Sequence, residues 1–99
     1  LYMMKKFSVQ FFLSFHLNIL TSEKNVYAGS AASLTVPGEA GYLGILADHA
    51  PLVTTLLAGK ISFKDQAGKQ TVLESEGKGF LEVLKNEVTV LLRPTPSNS

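Results

Sequence analysis

Residues 70–92 read QTVLESEGKGFLEVLKNEVTVLL, and three short apolar runs within them decide the fold. Gln70 to Ser75, Gly79 to Leu84 and Glu87 to Leu92 follow one another closely, divided by Glu76-Gly77 and Lys85-Asn86, whose backbone preferences suit turns. Val88, Val90 and Leu92 alternate with Thr89 and Leu91, so the last run reads as a strand with both faces at least partly covered. Upstream, Ile61 and Phe63 share one face after Gly59, and Leu34 and Val36 share one between Ser33 and Pro37. Asp65-Gln66-Ala67-Gly68 supplies another turn, and no window carries the period of an amphipathic helix. Strands this short and frequent, with hairpin-like links and no crossover helices, predict an antiparallel sandwich or barrel.

Toward the N-terminus, Val9, Phe11, Leu13, Phe15, Leu17 and Ile19 fall on one parity and Ser8, Gln10, Ser14, His16 and Asn18 on the other. That alternation marks a half-buried strand, and its length predicts a bend or a loose leading end. A second reading takes Lys5-Lys6 and the apolar run after it as a secretory signal, with Val26-Tyr27-Ala28 as the cleavage site. It would make the chain a secreted or periplasmic β-sandwich binding module. A signal needs a continuously apolar segment, and the alternation argues for the strand instead.

Ninety-nine residues allow one hydrophobic core. With 45% hydrophobic and 17% charged residues the chain is too apolar to be disordered, and it must pack tightly or cover its surplus with a partner. A formal net charge of +1 and no run of like charge beyond Lys5-Lys6 exclude an electrostatic grip on nucleic acid. The absence of cysteine removes disulfides, thiolate catalysis and thiolate metal sites together. After Arg93 the chain reads Pro94-Thr95-Pro96-Ser97-Asn98-Ser99, which cannot extend a ladder.

Pro37 to Leu46 breaks the regular pattern, with three glycines and a proline around Tyr42 and Leu43. It reads as a constrained turn that either lifts these side chains toward a partner or folds them onto the core. Asp48-His49 is half of a nucleophilic triad, yet neighbours in an extended chain point to opposite faces and no serine sits in a nucleophile elbow. A histidine bonding backbone groups in the turn before Pro51 is the expected arrangement. His16 and His49 lack metal-ligand spacing, and Gly38-Glu39-Ala40-Gly41 and Gly77-Lys78-Gly79 lack the helix that a phosphate loop requires. Glu82, between Leu81 and Val83, is expected to face outward, and Lys60, Lys64 and Lys69 to form a solvated face.

Leu34-Thr35-Val36-Pro37-Gly38-Glu39, Gly41-Tyr42-Leu43-Gly44-Ile45-Leu46 and Asp48-His49-Ala50-Pro51-Leu52 together resemble the N-terminal domain of the epsilon subunit of F-type ATP synthases. The likeness continues through Leu57-Ala58-Gly59-Lys60-Ile61, Gly79-Phe80-Leu81-Glu82-Val83 and Asn86 to Leu91, so that it covers roughly residues 15–92. It implies an all-β, flattened antiparallel β-sandwich of about ten short strands in two sheets, with residues 1–14 as an N-terminal extension or leading strand and 93–99 as a flexible Pro/Ser tail. It implies, too, a rotor part of a proton-translocating synthase on the cytoplasmic face of a bacterial inner membrane. Such a part joins the gamma subunit to the c-ring without catalysis, cofactor or metal. The ring-facing loops map to Glu39, Tyr42, Leu43 and His49. Three departures accompany the resemblance: Tyr42 stands where members commonly carry an acid, Lys78 interrupts a usual glycine pair, and the C-terminal helical hairpin of most members has no counterpart in these residues.

Overall fold

The computed structural model describes residues 14–93. They form seven strands: β1 Phe15–Leu20, β2 Asn25–Ala31, β3 Ser33–Gly38, β4 Gly41–Ile45, β5 Leu52–Lys64, β6 Gln70–Leu84 and β7 Glu87–Leu91. All are joined in one sheet in the order β2-β1-β7-β6-β5-β3-β4. The all-β class holds, but the described residues carry seven strands where about ten were expected. The ladder is mixed, because β1 runs parallel to β7 while every other pair is antiparallel.

The count falls because expected turns prove to be strand. Glu76-Gly77 does not end a hairpin: β6 continues through it for 15 residues, paired along its length with the 13 residues of β5. Glycine signals a turn and a bulge alike, and here it makes a bulge. Leu56 pairs with Gly79 and Ala58 with Glu76, so Leu57 faces two residues, Gly77 (φ 93°) and Lys78 (φ 62°). Ser75 staples the kink, its buried hydroxyl donating to Leu57 O at 2.8 Å and accepting from Gly77 N at 3.2 Å. The Pro37–Leu46 segment likewise is mostly a hairpin of β3 and β4 around Glu39-Ala40. The turn at Lys85-Asn86 is as expected, with φ of 52° and 62° at its two central residues, the backbone of a type I′ hairpin whose twist matches the strands it joins.

β1 keeps the alternation read from sequence, with Phe15, Leu17 and Ile19 buried; the remainder of that run, residues 8–13, lies outside the described residues, as does the tail from Pro94. The proposed cleavage site, Val26-Tyr27-Ala28, lies inside β2, where Tyr27 sits opposite Ile19 of β1. β2 and β5 are four strands apart in the sheet order, which in a flat sheet is about 19 Å. Yet the rings of Tyr27 and Phe63 are 4.4 Å apart, so the sheet folds back on itself at the bulged β5–β6 ribbon into two layers.

The layers enclose one core. Leu17, Ile19, Leu34, Val36, Ile45, Leu56, Ile61, Leu81, Val88 and Val90 are sealed from solvent, and each such burial stabilises by roughly 1.5–3 kcal/mol. Glu82 faces outward as expected. Lys60 does also, in an ion pair with Glu74 at 3.6 Å that adds little at such exposure.

Candidate interaction surface

The four residues singled out from sequence are each held by a different partner. Glu39, in the β3–β4 turn, accepts a hydrogen bond from Thr55 Oγ1 at 2.5 Å. Tyr42 and Leu43 are consecutive in β4 and therefore point to opposite sides. Leu43 is half-buried and packs against the core, whereas Tyr42 is 61% exposed. The even choice between contact and core thus divides between the two side chains.

Tyr42 is nonetheless anchored. Its hydroxyl accepts from Lys60 N at 3.0 Å, opposite the part of β3 where Pro37 interrupts the ladder. The ring reaches this position because Gly59 has no side chain: a Cβ there would stand 2.6 Å from the Tyr42 hydroxyl and 3.1 Å from Pro37 Cβ.

His49 lies beyond β4, in the six-residue loop before β5. Its amide donates to Leu46 O at 3.3 Å, and its Nδ1 contacts Ala50 O at 2.8 Å. A carbonyl only accepts, so Nδ1 carries a proton, and in the neutral ring Nε2 is then the acceptor. The Asp48 carboxylate turns away to Asn86, accepting from Nδ2 at 3.0 Å, while Asp48 N donates to Asn86 Oδ1 at 2.6 Å. An acid–histidine dyad is therefore not made, and the backbone-bonded turn histidine is the arrangement found. Among the described residues no three His, Cys, Asp or Glu gather as a metal site.

Sequence reading missed an apolar row on the outer face. Thr55, Phe80, Leu91 and Leu20 are register partners across β5, β6, β7 and β1, so they form one row on the outer face. Phe80 is 50% exposed and Leu91 41%, with Val53 beside them at 70%. Glu39, Val53, Thr54, Thr55 and Phe80 line one shallow groove of this face, and Ser22, Lys78, Phe80, Leu91, Leu92 and Arg93 another. The signal lay in residues 80–84, where Phe80 and Leu84 are apolar on one parity and Leu81 and Val83 on the other. An apolar outer row with charged groups at its rim is the composition of a protein-docking face.

Residues 14–94 match the family described as ATP synthase, Delta/Epsilon chain, beta-sandwich domain. The ATP synthase epsilon chain of Natranaerobius thermophilus is 46% identical over 77 residues, which are 78% of this chain and 55% of that one. That of Desulfatibacillum aliphaticivorans is 41% identical over 75 residues, 76% of this chain and 52% of its own. The chain thus spans about half the length of the curated relatives it matches. Among solved structures, a chain of the Euglena gracilis mitochondrial ATP synthase superposes with a TM-score of 0.75 at 22% identity, covering 80% of this chain and 50% of that one. A chain of the Tetrahymena thermophila central stalk and c-ring superposes with a TM-score of 0.67 at 14% identity, covering 80% and 63%. At those identities the likeness is one of fold.

Proposed function

This chain belongs to the ATP synthase delta/epsilon chain family, through its β-sandwich domain, and on that premise we propose that it is a non-catalytic rotor part of a proton-translocating F-type ATP synthase, joining the gamma subunit to the c-ring. The 46% identity to a chain named ATP synthase epsilon chain is the observation that carries this reading. Residues 15–92 serve as the working sandwich, flanked by 1–14 and 93–99. The protein sits at the cytoplasmic face of a bacterial inner membrane, held there through the complex.

The geometry suits a coupling that transmits torque. The gamma subunit covers the apolar row around Val53, Phe80 and Leu91, which water solvates poorly. The loops bearing Glu39, Tyr42, Leu43 and His49 offer the ring a carboxylate, an aromatic edge and an imidazole acceptor.

Tagged full-length protein purified from its own cells is expected to bring gamma and the c-ring with it. Phe80→Glu, on an exposed strand position, is expected to keep the fold and lose gamma, since it places a charge in an apolar contact. Wild-type protein that brings neither subunit refutes the assignment, and a Phe80→Glu variant that retains gamma in full refutes the placement of its surface.

A further inference from the structure

Two segments separated by 38 residues clasp each other through Asp48 and Asn86. Both residues have a φ of 62°, a left-handed conformation that costs a non-glycine residue energy but that Asn and Asp tolerate best. Their hydrogen bonds are reciprocal: Asp48 N donates to Asn86 Oδ1, and Asn86 Nδ2 donates to Asp48 Oδ1. Asn86 is fixed on a third side, its carbonyl accepting from His16 N at 2.9 Å at the start of the β1–β7 parallel pair. The loop 46–51, which crosses from β4 to β5, is thereby tied to the hairpin turn between β6 and β7.

We propose that the Asp48–Asn86 clasp is the positioning device for His49, holding the loop in the shape that presents the imidazole Nε2 as a hydrogen-bond acceptor to a donor on the protein surface it meets. The inference rests on the rotor reading for the identity of that surface. A six-residue loop without a fixed point samples many conformations and loses that freedom on binding. Here the freedom is already lost in the free protein. The residue next to the clasp inherits the constraint most directly, and His49 is locked further by its own Nδ1 contact to Ala50 O. The amide side chain is well matched to the task, since it carries a donor and an acceptor on separate atoms side by side, and Asn tolerates the left-handed turn well.

The test compares Asn86→Ala, Asp48→Gly, His49→Ala and the Asn86→Ala/His49→Ala pair in the full-length protein. Asp48→Gly keeps the positive φ and the Asp48 N donation while losing the carboxylate, so it separates backbone strain from the clasp. Hydrogen exchange of the residue 48 and 49 amides reports the loop itself, and competition for reassembly with synthase stripped of this subunit reports binding. Asn86→Ala is expected to speed exchange at both amides roughly tenfold, as loss of two net hydrogen bonds implies, and to weaken reassembly by a similar factor. In the His49→Ala background the same change is expected to add nothing to the binding loss, which a general weakening of the fold would not produce. Asp48→Gly is expected to fall between Asn86→Ala and wild type in exchange. Unchanged exchange in Asn86→Ala overturns the clasp, and additive losses in the pair overturn its action through His49. Should wild-type protein fail to reassemble at all, the rotor assignment falls, while the exchange measurement still decides the clasp.

Discussion

Removing a single oxygen from Tyr42 tests how the rim of the sandwich is built. The Tyr42 hydroxyl accepts the Lys60 amide at 3.0 Å, and with 61% of the residue exposed about two-fifths of it is sheltered, against Gly59 and Pro37. Tyr42→Phe keeps the shelter and deletes the acceptor, so it should cost about 0.5–1.5 kcal/mol, the net worth of one hydrogen bond. Tyr42→Ala deletes both. Two-fifths of the roughly 1.5–3 kcal/mol for burying a large side chain adds about 0.6–1.2 kcal/mol, for a total near 2 kcal/mol. Urea unfolding of the full-length protein, followed by circular dichroism, resolves the two values from each other and from wild type. Thermal scans give an independent reading, at roughly 4–8 °C per kcal/mol for a domain of this size. A Tyr42→Phe variant that matches wild type within about 0.3 kcal/mol, or Phe and Ala variants of equal cost, would overturn this account of the rim. The first result would mean that the hydroxyl supports nothing, the second that the ring does not pack. Because the ring survives in Tyr42→Phe, that variant should also keep the aromatic contact proposed for the c-ring.

Two other substitutions probe the fold. Ser75→Ala strips the bulge of the hydroxyl that serves both Leu57 O and Gly77 N, and should cost about 1–3 kcal/mol in denaturant unfolding because the carbonyl is left without its partner. Gly79→Ala drives a Cβ to 2.5 Å from the carbonyl oxygen of Leu91, a backbone atom that cannot swing aside. It should part β6 from β7 and lower the melting midpoint by more than any other single Gly→Ala change in the described strands.

What could be read from the chain follows the range over which each interaction acts. The alternation of Phe15, Leu17 and Ile19, and of Val88 and Val90, is local and was legible, as was the Lys85-Asn86 turn. β2 was not, because Asn25–Ala31 forms one edge of the sheet and buries only Ala31 fully, leaving no periodic signal. The parallel pairing of β1 with β7 joins the two ends of the domain, and nothing near Phe15 or Glu87 announces it. The site divides in the same way. Turn glycines and the aromatic Tyr42 drew notice as local features, while the Asn86 partner of Asp48, 38 residues away, and the Pro37 gap that Tyr42 fills belong to the folded chain alone.

The bulge opposite Leu57 also settles which side of β5 is inside. Before it, even-numbered Leu56 points inward; after it, odd-numbered Ile61 and Phe63 do, leaving Lys60 and Lys64 in water. An uninterrupted pairing would carry the even parity onward, sending the two lysines into the interior and the isoleucine and phenylalanine out. One surplus amino acid on the neighbouring strand therefore works as a phase shifter: it reconciles two halves of a sequence that are written out of step, and a deletion there would put them in conflict.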